Sequence, residues 1–146
     1  MIAVGDAAPD FEAQLQDGTP FRLSSTRGHP TVLYFYPKAD TPGCTIEAQG
    51  FRDHYAEFQA AGVSIVGVST DTCEEQLAFA KKYGLPFSLV ADKDKKVGAA
   101  YGVLAPAGYA RRISFLIGAD GTVAEVVTAS SAPTHVDRAR ARYLKA

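Results

Sequence analysis

At 146 residues the chain has the length of one ordinary domain, enough to bury a continuous core, and 47% hydrophobic with 21% charged residues excludes a disordered polymer. A net charge of -1, with basic runs that are short (Lys95-Lys96) or spread along a helix (Arg138 to Arg142), argues against a phosphate-binding face and hence against nucleic acid as partner. Met1 to Asp6 lack the basic and apolar regions of a signal peptide, and no run approaches the roughly 18 apolar residues of a membrane span, so the expectation is one cytosolic domain with no membrane partner.

In chain order, Thr31 to Tyr36 is a β-branched and aromatic run ended by Pro37, as expected of a central strand covered on both faces. From Pro42 to about Ala61, Cys44, Ala48, Phe51, Tyr55 and Phe58 recur at spacings of three and four and predict one helix with a core-facing stripe. Ser64 to Ser69 reads as a second buried strand, which makes a strand-helix-strand unit with a parallel pair. Leu77, Ala80 and Tyr83 mark a further helix stopped by Gly84 and Pro86, followed by a strand over Phe87 to Val90 and a short helix over Lys95 to Tyr101. Ile113 to Ile117 and Thr122 to Val127 flank Gly118-Ala119-Asp120-Gly121, a hairpin signal, and a helix over Pro133 to Leu144 closes the chain. Parallel strands with intervening helices, finished by a hairpin and a helix, predict an α/β thioredoxin-like fold with a central mixed β-sheet flanked by helices.

There are two cysteines, Cys44 and Cys73, and no C-x-x-C pair of the kind used by zinc sites or dithiol oxidoreductases. Thr41 suits an N-cap and Pro42 the first helical position, so Cys44 falls third in the helix, with Glu47 one turn on. Free amides and the positive dipole end of that turn favour a thiolate. The same position on the apolar stripe also suits a small buried residue. His29, His54 and His135 are scattered without metal-ligand spacing, and Gly5, Gly18, Gly28 and Gly43 form no phosphate-binding fingerprint, so neither metal nor nucleotide cofactor is implied.

Pro37, Thr41 and Cys44 form P-x-x-x-T-x-x-C at a strand-to-helix junction, which resembles the peroxiredoxin active-site motif. The likeness extends over Tyr36-Pro37-Lys38, Thr41 to Thr45, Gly50 to Asp53, Gly67 to Asp71 and Arg112 to Ile117, and it is similar to the bacterioferritin comigratory protein, or peroxiredoxin Q, branch from Gly5 to the last helix. That resemblance implies a thiol-dependent peroxidase acting on hydrogen peroxide and small organic hydroperoxides, recycled by thioredoxin or a small thiol, and a monomer or weak homodimer. It assigns Cys44 as the sulfur that becomes a sulfenic acid, Thr41 as the hydroxyl orienting the peroxide, Pro37 as a shield and Arg112 as a guanidinium beside a sulfur within reach of solvent. A non-catalytic protein-binding or holdase module is the alternative.

The chain departs from the branch in places. The resolving cysteine that many members carry five residues after the first is Gln49 here, and the other common position is Ala80. Cys73, at the start of the following helix, then has two readings: a resolver, or a small residue packed against the sheet of a one-cysteine enzyme. The Leu104 to Arg111 connection is also shorter than in many relatives.

Overall fold

The structure, a computed structural model, describes residues 1–144. Seven strands build one sheet: β1 (Glu12–Leu15), β2 (Pro20–Arg22), β3 (Thr31–Phe35), β4 (Ser64–Ser69), β5 (Ser88–Ala91), β6 (Ile113–Ile117) and β7 (Val123–Val127). Their spatial order is β2-β1-β5-β4-β3-β6-β7. β3, β4 and β5 run parallel; β6 lies antiparallel on β3, β7 on β6, and the β1-β2 hairpin on β5. The helices are α1 (Pro42–Asp53), α2 (Tyr55–Ala60), α3 (Cys73–Tyr83), α4 (Lys96–Tyr101) and α5 (Ala132–Tyr143). Among the described residues no helix is long and apolar enough to cross a membrane.

Alternation along β3 divides the core in two. Val32, Tyr34 and Tyr36 face the layer that holds α1, α2, α3 and α5, whereas Leu33 and Phe35 face the layer with α4 and the N-terminal segment. All five residues of β3 are buried, which is why the segment reads as an unbroken apolar run. On the first face Tyr34 stacks on Phe51 at 4.7 Å, and Phe51 meets Phe58 at 6.2 Å, so the aromatic stripe of the α1-α2 segment is core.

Two expectations need correction. The helix expected from Pro42 to Ala61 is broken at His54, whose backbone closes α1 and opens α2. Side-chain spacing stays at three and four across the break, so periodicity is blind to it. The β1-β2 hairpin is absent from the sequence reading because β1 alternates exposed and half-buried residues and β2 has only three. Its signal was Asp17-Gly18, where Gly18 takes φ +82° and the Asp17 carboxylate accepts from the amide and hydroxyl of Thr19. In α3 the buried face centres on Gln76, Phe79 and Ala80, with Leu77 half-buried at its margin.

Candidate active site

The central strand delivers the site. After β3 the Tyr36 amide still bonds Val68 O, and the chain then leaves the sheet at Pro37. The Pro37 to Thr41 loop is pinned to α3 and its approach: Asp71 accepts from the Ala39 amide at 2.7 Å, and Asp40 accepts from Lys82 Nζ at 2.8 Å and Tyr83 Oη at 2.6 Å. These bonds hold Asp40 at φ 60°, a left-handed conformation uncommon outside glycine. Thr41 is the N-cap residue, Pro42 the first helical residue and Cys44 the third.

The Thr41 side chain does not cap the helix as the sequence suggested. Its hydroxyl donates instead to Lys38 O at 2.8 Å. With its hydrogen spent on that carbonyl, Oγ1 offers lone pairs to an incoming O–H. Pro37 lines a cleft of about 390 Å³ with Lys38, Thr70, Asp71, Glu75 and Tyr109.

Cys44 is only 1% exposed, so the sulfur is covered, whereas the chemistry expected from the sequence needs it within reach of solvent. It is not, however, in purely apolar surroundings. Arg112, immediately before β6, donates from Nη2 to Cys44 Sγ at 3.5 Å and from Nη1 to Glu47 Oε1 at 2.7 Å. Cys44 and Glu47 are one turn apart on α1, so a single planar guanidinium spans both. The contact sets a fixed cation beside the sulfur. Gly43 makes room for this approach: a Cβ there would sit 2.8 Å from Arg112 Nη2. Arg111, by contrast, is exposed and bonds the carbonyl of Gly102.

Sequence reasoning missed the groups behind Arg112. Glu47 is wholly buried, and burial pushes its carboxyl up to about 8, against the opposing pull of Arg112. His135 of α5 is equally buried, with Nδ1 2.7 Å from Ser114 Oγ and Nε2 2.7 Å from Ala129 O; desolvation holds its imidazole below the usual histidine range. The available signal was positional. Glu47 and His135 each occupy the i+3 place of a buried stripe, Cys44-Glu47-Ala48-Phe51 on α1 and Ala132-His135-Val136-Ala139 on α5.

Cys73 stands elsewhere. It begins α3 behind a complete capping box of Thr72 and Glu75, half-buried, with its thiol directed to Gln14 Oε1 at 3.5 Å. Gln14 pairs with Ala91 and Ala91 with Ser69; one residue further in, Val68 pairs with Phe35 and Phe35 with Ile113. Gln14 and Arg112 therefore sit at one level of the sheet but four strand spacings apart, about 19 Å at the backbone. The helices that carry the two cysteines, α1 and α3, follow the adjacent parallel strands β3 and β4.

A cysteine at the start of the helix that follows a central strand, in a sheet of this order, places the chain in the thioredoxin-like class. The comparisons narrow that class: residues 4–126 match the AhpC/TSA family, and the chain belongs to it. Peroxiredoxin Bcp of Escherichia coli is 40% identical over 143 residues, covering 93% of this chain and 92% of that protein. The chloroplastic peroxiredoxin Q of Sedum lineare is 47% identical over 102 residues, 70% of this chain, and the chain spans 55% of that longer protein. Among solved structures, peroxidoxin BcpB of Mycobacterium tuberculosis superposes with a TM-score of 0.91 at 38% identity over 100% of both chains. Within its family the chain thus sides with the Bcp and peroxiredoxin Q peroxiredoxins.

Proposed function

We propose that this chain works as one thioredoxin-like domain, a thiol-dependent peroxidase that reduces hydrogen peroxide and small organic hydroperoxides at Cys44. The observation that carries the reading is the Arg112 guanidinium shared between Cys44 Sγ and Glu47. The Cys44 thiolate attacks the terminal oxygen of R–O–O–H; an S–O bond forms, the O–O bond breaks, and the products are Cys44 sulfenic acid and an alkoxide that takes a proton to become an alcohol. Arg112 is placed to stabilise negative charge first on sulfur and then on the leaving oxygen. Thr41 Oγ1 accepts from the peroxide O–H and aligns it, while Pro37 borders the approach. Because Cys44 is covered at rest, substrate entry requires movement of the Pro37 to Thr41 loop or of the first turn of α1.

Both cysteines are free thiols with different partners, Cys73 bonding Gln14 and Cys44 accepting from Arg112, which supports a one-cysteine cycle. Two equivalents of an external thiol, supplied as a thioredoxin-like protein or a small thiol, reduce the sulfenic acid, releasing water and a disulfide. The chain acts as a monomer or weak homodimer in the cytosol and without cofactor; exposed large apolar side chains among the described residues are limited to Met1, Val4, Ile46 and Tyr109, which supports the small interface this implies.

Peroxide consumption under excess dithiol tests this reading. Wild type and Cys73→Ser should turn over repeatedly and Cys44→Ser not at all. Full turnover by Cys44→Ser refutes the assignment, and stoichiometric loss by wild type would point to a non-catalytic binding module.

A further inference from the structure

Behind Arg112 lies a second layer of ionisable groups that the peroxide step leaves unused. Glu47 Oε1 receives Arg112, but Oε2 is buried without a hydrogen-bond partner. Facing it at 3.6 Å is Nδ1 of His135, from the last helix of the chain. The Ala129 carbonyl, 2.7 Å from Nε2, can only accept, so Nε2 carries a hydrogen throughout. Nδ1 is therefore the one position where the imidazole gains or loses a proton. Ser114 Oγ, 2.7 Å away, donates to a bare Nδ1 or accepts from a protonated one and so serves both states.

We propose that Glu47 and His135 form a proton-sharing pair behind Arg112, which makes His135 a positioning residue that tunes the Cys44 sulfur from α5. The inference rests on Cys44 being the reacting group. With the proton on Glu47 the carboxyl is neutral and the guanidinium charge is directed undivided at the sulfur. With the proton on His135 the carboxylate grips Arg112 by a charge-assisted bond and offsets part of that charge. Burial, which raises Glu47 and lowers His135, favours the first state near neutrality.

The other ionisable groups around the pair come from four elements. From β3, the buried Tyr34 hydroxyl is unpartnered and the Tyr36 hydroxyl donates to Gln76; burial raises both phenols well above their ordinary range. From α1 and the start of β6 come Cys44 and Arg112 themselves. Of the remaining cations of α5, Arg138 and Arg142 pair with Glu125, while Arg140 keeps its Nε buried without a hydrogen-bond partner. Glu47 and His135 are thus the groups near Arg112 whose protonation changes across the neutral range.

The test measures Cys44 alkylation by iodoacetamide against pH, resolved by peptide mass spectrometry, which needs no peroxide. Wild type should show two inflections. Glu47→Gln should show one, His135→Asn should displace the Glu47 inflection, and the double variant should match Glu47→Gln within about two-fold. Val136→Ala, which loosens the same helix without touching the proton, should keep both inflections. In parallel, the His135 imidazole resonances followed by NMR should show, besides their own titration, a second step near pH 8 from ionisation of the neighbouring Glu47, and that step should be absent in Glu47→Gln; this arm stands even if His135→Asn fails to fold. Wild-type His135 resonances without that second step, or a His135→Asn profile superimposable on wild type, overturn the proposal. Linked titrations in a protein without peroxidase activity would sink the function reading alone, and peroxidase activity with unlinked titrations would sink this one alone.

Discussion

Arg112 and Gly43 show how narrowly the chemistry is placed. The guanidinium is the cation in contact with Cys44 Sγ, and its side chain is 14% exposed, so water screens it little. Arg112→Ala should slow peroxide oxidation of Cys44 by about 10² to 10³, the usual consequence of losing one fixed donor to developing charge. Stopped-flow single turnovers would read that loss, and thermal melts should show a far smaller effect. Gly43→Ala should fold, since the atom it meets is the end of a flexible side chain, yet displace Arg112 and lower the same rate constant by about tenfold. A Gly43→Ala rate equal to wild type would show that the guanidinium need not sit where it does. The Cys44 position was readable from Thr41-Pro42-Gly43-Cys44 because capping chemistry is local. Glu47 and His135 were not, because a carboxylate in the second turn of a helix ordinarily reads as solvated, and only the crossing of α1 and α5 takes it out of water.

At the scale of elements, that crossing depends on close approach. A Cβ on Gly50 of α1 would lie 2.8 Å from Val136 Cγ2 of α5, so glycine lets the helices meet and bring Glu47 to His135. Beneath α1, Phe51 is fully buried against Tyr34 and Phe58. Phe51→Ala should cost about 3–5 kcal/mol in urea unfolding, because a cavity there is walled by sheet on one side and α2 on the other. Strands buried on both faces and helices with a continuous stripe were legible within a residue or two, as β3, β4 and α5 show. The β1-β2 hairpin and the break at His54 were not, since one has little apolar patterning and the other preserves it.

For the whole molecule, the buried pair sets the pH dependence of stability. Glu47 rises from an ordinary 4.5 to about 8, so the folded state keeps a proton that the unfolded chain releases between those values. The stability this confers is full below 4.5 and is lost as pH climbs through 8. His135 works the other way: its value falls from 6.5 on folding, so its contribution is present above 6.5 and is lost on acidification. Glu47→Gln should therefore gain on wild type in melting temperature between about pH 5 and about pH 9, and a constant difference would show that Glu47 does not titrate in that window. The order of elements announced the thioredoxin-like sheet, but the partner of Cys73 was hidden, because Gln14 reaches that thiol only through β1 joining the sheet beyond β5.

The most direct test of the account is to add one equivalent of peroxide to the reduced protein without reductant, trap with dimedone and map the adduct by peptide mass spectrometry. A sulfenic acid adduct on Cys44, with Cys73 still a free thiol, is the predicted result. Oxidation confined to Cys73, or none at Cys44, would contradict it.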